Sequence, residues 1–153
     1  LHNFKGVQRR FSHLFDHNKI SFYDDYAHHP TEISSVLSGV EKVYKNKEIV
    51  CVFQPHRISR VKSLKKEFSK CFKKADTVLL CPIYTANEKL RLNFTYHSFA
   101  KLIIKNSNVR LIQVEDELQL QKFIKQNVFG EKIYIGMGAG SISNWMKNLK
   151  NIF

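Results

Sequence analysis

The chain has 153 residues, 43% of them hydrophobic, which is enough to bury the core of one globular domain. No apolar run approaches the ~20 residues of a membrane-spanning helix, and residues 1–10 lack the apolar segment of a signal peptide, so we predict no membrane partner. Lysine and arginine outnumber aspartate and glutamate by 25 to 13, a net charge of +12. These basic residues are dispersed and form no nucleic-acid-binding motif, so we predict anionic small molecules, and no nucleic acid, as partners.

The three cysteines at positions 51, 71 and 81 lack the paired spacing of a zinc site. They fit buried thiols in a reducing compartment, which predicts a cytoplasmic location. The chain begins at Leu1 and not at a methionine, so we expect it to be part of a longer protein.

Hydrophobic periodicity predicts strands that alternate with helices. Strands at 10–15 and 19–24, joined by a polar turn at 16–18, predict a hairpin, and Pro30 suits the first turn of the next helix. The further predicted elements are a helix to residue 44, a strand at 49–53, a helix at 59–72 capped by Ser59, a strand at 77–80, an irregular stretch at 81–94, a short helix around 99–103, a strand at 109–114, a helix around 120–124, a strand at 132–135 and a helix around 142–149.

The later predicted strands are mostly apolar and do not alternate between apolar and polar residues, which is typical of parallel strands covered on both faces. We therefore predict a Rossmann-like α/β fold, with a doubly wound, mostly parallel six-stranded sheet, one antiparallel edge strand and about five helices. It should form a single domain over residues 1–153.

Polar clusters follow the predicted strands at 24–30, 54–57, 82–88, 115–116 and 136–141. Carboxyl ends of parallel strands share one edge of a sheet, where such folds bind ligands. The densest cluster contains Asp24, Asp25, Tyr26, His28 and His29. The acids could instead be turn or helix-start residues and the histidines an exposed pair before a helix. Adjacent residues point apart on an extended chain, so we predict no metal site here.

Basic and glycine-rich segments add two further candidates. Arg57 and Arg60 flank a helix start, where free backbone amides also favour anions, so we predict an anionic ligand there over simple surface decoration. The glycine-rich run at 136–141 is either a ligand-binding loop or a tight turn from strand to helix, and it lacks the Lys-Ser/Thr of a phosphate loop. Arg9 and Arg10, read alone, could equally be surface residues.

Four segments, at 6–11, 24–33, 53–60 and 136–142, together resemble the C-terminal domain of the Mur ligase family in order and spacing. The resemblance is strongest to the members that add L-alanine to UDP-N-acetylmuramate. The run from Tyr84 to Glu88 also fits a Tyr-x-Ala-x-Glu loop of these enzymes, whereas Ile58 stands where the family usually has tyrosine. The tripeptide-recycling muropeptide ligases share the Asp-Asp-x-Ala-His-His-Pro run but typically differ at 54–57.

The resemblance implies an ATP-dependent ligase of peptidoglycan synthesis that forms an amide through an acyl phosphate. Such enzymes have three domains: the first binds UDP-N-acetylmuramate, the central one holds a phosphate loop and Mg²⁺, and the third closes over ATP and L-alanine. The first two domains would lie outside these 153 residues, so the chain should not catalyse ligation alone. The alternatives are a tripeptide-recycling ligase domain and a non-catalytic nucleotide-binding module of Rossmann-like fold.

The resemblance also implies roles for particular residues. Arg10 and Asp25 would bind ATP, with Asp25 on the ribose hydroxyls. His28, Arg57 and Arg60 would be catalytic, His28 near the alanine amine and the arginines on the alanine carboxylate or the developing phosphate charge. The other predicted substrate-binding residues are Tyr26, His56, Gly138, Ala139, Gly140 and Ser141.

Overall fold

The computed structural model describes residues 9–89 and 95–153 of the chain. Positions 6–8 of the first resemblance segment and positions 90–94 of the predicted irregular stretch lie outside these residues. The strands are β1 (Ser12–His17), β2 (Ile20–Asp25), β3 (Glu48–Phe53), β4 (Thr77–Leu80), β5 (Arg110–Gln113) and β6 (Lys132–Met137). The helices are α1 (Pro30–Val43), α2 (Ile58–Ser63), α3 (Lys65–Lys70), α4 (Tyr96–Ser107), α5 (Glu117–Gln126) and α6 (Ile142–Asn148), followed by a 3₁₀ turn (Leu149–Ile152).

The six strands form one sheet in the order β1-β2-β6-β3-β4-β5. β1 pairs with β2 antiparallel and every other neighbouring pair is parallel, so the predicted sheet with an antiparallel edge strand is confirmed. The last strand, β6, is inserted between β2 and β3. The loops that follow β2, β6 and β3 are therefore neighbours at the carboxyl edge, where the winding direction of the chain reverses.

Helices cover both faces of the sheet, because both faces are apolar. In β3, Ile49, Cys51 and Phe53 belong to one core with side chains of α1 to α4, while Val50 and Val52 belong to a second core with α5 and α6. This alternation explains why β3 reads as a continuous apolar run. Within residues 9–89 and 95–153, no helix combines the length and apolar character needed to cross a membrane.

Several predicted boundaries were wrong. The hairpin turn is formed by residues 18–19, with Asn18 at φ 56°, instead of 16–18. The helix predicted at 59–72 is two short helices, because Leu64 leaves the helical region at φ −114° and ψ 21°. The apolar periodicity continues from α2 into α3, because both helices pack on the same core. The described residues thus contain six helices instead of about five, and β6 extends two residues further than predicted, to Met137.

Candidate active site

Aromatic side chains connect three of the predicted loops at the carboxyl edge of the sheet. The rings of Tyr26 and His28 meet edge-on with centroids 4.9 Å apart, and the rings of His28 and His56 are 6.0 Å apart. His56 in turn stacks on Tyr84 at 5.5 Å. Side chains that follow β2, β3 and β4 therefore lie side by side, as the shared edge of a parallel sheet requires.

An ion pair that the sequence did not single out lies at the end of β2. Arg9 donates from Nε to Asp24 Oδ2 at 3.0 Å and from Nη2 to Asp24 Oδ1 at 3.2 Å, and Nη2 also donates to the Gly138 carbonyl at 2.9 Å. The Ser143 hydroxyl donates to Asp24 Oδ2 at 2.7 Å. The guanidinium also lies 5.1 Å from the ring centroid of Tyr26. This network ties residue 9 to β2, to the turn after β6 and to α6.

Asp25 is 5% exposed and uses both carboxylate oxygens within the chain. Its Oδ2 accepts from the Phe11 amide at 2.7 Å and its Oδ1 from the Ala27 amide at 2.8 Å. Burial raises the pKa of Asp25, the two amides oppose that rise, and the charge of Asp24 adds to it. The ribose contact stays a prediction, and the observed contacts give Asp25 a structural role in fixing the backbone at residue 11.

Arg10 has an exposed side chain on a backbone that is held on both sides. Arg9 before it is fixed by its ion pair. Phe11 after it donates its amide to Asp25 and stacks on Tyr23 with ring centroids 4.0 Å apart. An exposed guanidinium on a fixed backbone suits a phosphate group, so this position fits the predicted nucleotide contact.

The two adjacent histidines have different roles. His29 caps α1: its Nδ1 accepts from the Thr31 amide at 3.2 Å, and Glu32 Oε1 accepts from the His29 amide at 3.0 Å. His29 thus has a structural role as the cap of α1, which the sequence did not predict. His28 Nδ1 lies 2.9 Å from the Tyr26 carbonyl oxygen. Because a carbonyl only accepts, Nδ1 carries the hydrogen, and in neutral His28 the Nε2 atom retains its lone pair.

His56 and Arg60 form a hydrogen-bonded pair after β3. Arg60 Nη1 lies 3.2 Å from His56 Nδ1, and since a guanidinium only donates, Nδ1 must be the acceptor. Burial, followed by the positive charge of Arg60, lowers the pKa of His56, so the imidazole is neutral near pH 7. The side chain of Arg57 is exposed, and its backbone has φ 71°, a conformation rare outside glycine.

The predicted cap at the start of this helix was wrong, and the predicted anion ligand of Arg57 and Arg60 stays a prediction. Ser59 does not cap the helix, because α2 begins at Ile58 with Arg57 in the capping position. The Ser59 amide and hydroxyl instead donate to the carboxylate of Glu88, at 3.2 and 2.5 Å. Part of the anion-binding capacity of this segment is thus taken by a carboxylate of the chain itself.

The glycine-rich segment begins inside β6, since Gly136 is a strand residue. A Cβ atom at Gly138, where φ is 153°, would lie 2.8 Å from the Gln54 carbonyl oxygen, and a Cβ at Gly140 would lie 2.4 Å from the Tyr84 ring. Gln54 donates from Nε2 to the Ser141 hydroxyl at 3.0 Å. Close packing therefore explains why residues 138 and 140 are glycines, and the hydrogen bond from Gln54 gives the Ser141 hydroxyl a partner. Ala139, Gly140 and Ser141 remain partly exposed.

Two further predicted features have structural explanations. Asp116 caps α5 by accepting from the Gln119 amide at 2.8 Å. All three cysteines are buried as free thiols. Within the described ranges, 9–89 and 95–153, no group of three or more histidine, cysteine or acidic side chains is placed to hold a metal ion.

Curated relatives match almost the whole chain. A UDP-N-acetylmuramate–L-alanine ligase of Pelagibacter ubique is 64% identical over 99% of this chain and 33% of its own length. The same enzyme of Brachyspira hyodysenteriae is 42% identical over 93% of this chain and 30% of its own length. The chain thus spans about a third of these relatives. Both carry the alanine-adding name, so sequence likeness does not favour the tripeptide-recycling alternative.

Solved structures share the fold. A UDP-N-acetylmuramate–alanine ligase of Thermotoga maritima superposes with a TM-score of 0.67 at 27% identity, over 94% of this chain and 29% of its own. A murein peptide ligase of Psychrobacter arcticus gives a TM-score of 0.75 at 18% identity, over 95% of this chain and 30% of its own, a likeness of fold alone. Residues 9–140 match the family model described as "Mur ligase, glutamate ligase domain", and the resemblance is confirmed: the chain belongs to the Mur ligase family.

Proposed function

We propose that this chain is the C-terminal domain of a ligase that uses ATP to join L-alanine to UDP-N-acetylmuramate in peptidoglycan synthesis. The observation that carries the proposal is the cluster of His28, His56, Arg57 and Arg60 at one sheet edge, in a chain 64% identical to an alanine-adding relative. The remaining Mur ligase domains would be its partners and supply the UDP-N-acetylmuramate site. Both ATP and the UDP-sugar are cytoplasmic compounds, so the enzyme would work in the cytoplasm.

For L-alanine, we propose a pocket between His28 and the two arginines. In its neutral form, His28 would accept a hydrogen bond from the amine through Nε2. The guanidinium groups of Arg57 and Arg60 would bind the carboxylate, or the charge that develops on the phosphate. Tyr26 and His56 would line the same surface, on which both side chains are partly exposed.

The 138–141 segment would border this pocket through Ala139 and Gly140, its partly exposed residues. Gly138 and Ser141 would contribute by shaping the turn, since Arg9 and Gln54 already use their polar groups. These four residues thus complete the predicted substrate-binding set.

For ATP, we propose that Arg10 contacts the phosphates or ribose and that Asp25 acts largely by holding residue 11. The buried carboxylate of Asp25 could reach a ribose hydroxyl only through its remaining lone pairs. Mg²⁺ would offset the phosphate charge when bound, and we place its ligands mainly on the central domain.

A fusion enzyme tests the proposal. This chain would replace the C-terminal third of the Pelagibacter ubique relative, and phosphate release would be followed with ATP, UDP-N-acetylmuramate and L-alanine. We expect alanine-dependent turnover by the fusion and none by the isolated 153-residue chain. Turnover by the isolated chain, or none by a correctly folded fusion, would contradict the proposal.

Arg57→Ala in the fusion should raise KM for L-alanine about tenfold or more, the effect of losing a charged hydrogen bond of about 1.5–3 kcal/mol. Arg110→Ala is the matched control, because Arg110 is exposed and begins β5 at the opposite edge of the sheet. Equal kinetics for the two variants would remove Arg57 from the site.

A further inference from the structure

The loop at residues 84–88 contacts the arginine-bearing segment through its backbone. The Tyr84 amide donates to the Pro55 carbonyl at 2.8 Å, and the Arg57 amide donates to the Tyr84 carbonyl at 2.8 Å. These two bonds join the segments after β4 and β3 in a short parallel bridge. The backbone of Arg57, with its positive φ, is thus held by this loop.

The side chain of Glu88 adds a second attachment one residue into α2. Oε1 accepts from the Ser59 amide at 3.2 Å, and Oε2 accepts from the Ser59 hydroxyl at 2.5 Å. The hydrogen bond from the Ser59 side chain, helped by the positive charge of Arg57, lowers the pKa of Glu88, so the carboxylate is ionised at neutral pH. The loop turns back through Ala86 and Asn87, both at positive φ, to bring Glu88 there.

The same loop supports His56. The Tyr84 ring stacks on the His56 ring with an interplanar angle of 11° and packs against Gly140. His56 accepts from Arg60, so the 84–88 loop reaches Arg57 through the backbone and Arg60 through an aromatic stack. Glu88 does not face the proposed substrate, because both of its carboxylate oxygens accept hydrogen bonds from Ser59.

We propose that Glu88 is a positioning residue that fixes the first turn of α2 and thereby directs Arg57 and Arg60 at the carboxylate of the incoming amino acid. This inference rests on the proposed function. Helix α2 has six residues and no side-chain cap of its own, so its start depends on an anchor from elsewhere. Glu88 supplies that anchor from a loop on the neighbouring strand.

Steady-state kinetics of the fusion enzyme tests the role. Glu88→Gln removes the charge and places an amide nitrogen against one of the two Ser59 donors. It should raise KM for L-alanine about tenfold, with kcat and KM for ATP within about twofold. Glu115→Gln is the control, an exposed glutamate after β5 at the same edge. An unchanged KM for alanine, or a loss of kcat alone, would overturn the proposal.

A second variant and a spectrum separate positioning from loss of fold. Ser59→Ala should raise KM for alanine less than Glu88→Gln, and it should add little to the Glu88→Gln variant, because both act through one contact. In NMR spectra of the 153-residue chain, Glu88→Gln should shift the Ser59 and Arg57 amides and leave the β1–β2 hairpin unchanged. Unmoved Ser59 and Arg57 amides would show that the contact is absent and refute the proposal. An inactive wild-type fusion would instead refute the proposed function, and this role with it.

Discussion

Arg9→Met should destabilise the chain strongly, because it leaves the Asp24 carboxylate buried without a cation. Asp24 is 1% exposed, and the substitution removes two charged hydrogen bonds to it while the Ser143 hydroxyl remains. Breaking a buried pair by removing one partner costs about 3–5 kcal/mol. Arg9 is 20% exposed, so water can reach the vacated space, and we expect about 3 kcal/mol. For a chain of this length that lowers Tm by about 6–12 °C.

Thermal and urea unfolding of the 153-residue chain measures this effect. Lys19→Met is the control, because Lys19 and Glu131 form an exposed pair at 3.9 Å, which contributes about 0–1 kcal/mol. The double variant Arg9→Met with Asp24→Asn should be less destabilised than the sum of the single variants. A loss below about 1 kcal/mol for Arg9→Met, or strict additivity in the double variant, would show that the ion pair does not stabilise the fold in this way.

Two further predictions concern the loops around the site. Gly140→Ala should displace the Tyr84 ring and cost about 1–2 kcal/mol in the free energy of unfolding, since the new Cβ would lie 2.4 Å from that ring. Gly39→Ala, at a position in α1 with nothing within 4 Å of a new Cβ, should stabilise by about 0.5–1 kcal/mol. NMR titration of His56 should give a pKa below its ordinary 6.5, and Arg60→Gln should raise that pKa by removing a nearby positive charge. The lowered pKa means that His56 contributes stability above pH 6.5 that is lost as the pH falls through the folded-state pKa. An Arg60→Gln titration identical to wild type, or no change in Tyr84 chemical shifts for Gly140→Ala, would contradict these predictions.

Much of the fold could be predicted from the sequence because the inner strands of the sheet are buried on both faces. Continuous apolar runs such as 49–53 and 77–80 identify parallel strands, and the polar residues that follow them identify the carboxyl edge. The break at Leu64 could not be predicted, because neither glycine nor proline marks it and the apolar pattern continues across it. The insertion of β6 between β2 and β3 depends on long-range pairing, which periodicity does not encode.

The site divides in a similar way. Residue type and position singled out His28 and Arg60, and the family resemblance added His56; the structure places the three together. The long-range hydrogen bonds that fix the surrounding loops could not be predicted from residue type and position. Arg9 pairs across 15 positions with Asp24.

Glu88 bonds across 29 positions with Ser59. Such bonds depend on how the loops meet in the folded chain. In the sequence, only the adjacent arginines at 9 and 10 and the resemblance of residues 84–88 to a family loop drew attention to these segments.

We propose that this chain equips a ligase for L-alanine. The most direct test is to offer the fusion enzyme UDP-N-acetylmuramate and ATP with either L-alanine or the cell-wall tripeptide, and to compare kcat/KM for phosphate release. We expect a kcat/KM for alanine at least about a hundredfold higher, or about 2.7 kcal/mol of discrimination in favour of alanine. Equal or greater efficiency with the tripeptide, in a fusion that is folded and active, would contradict it.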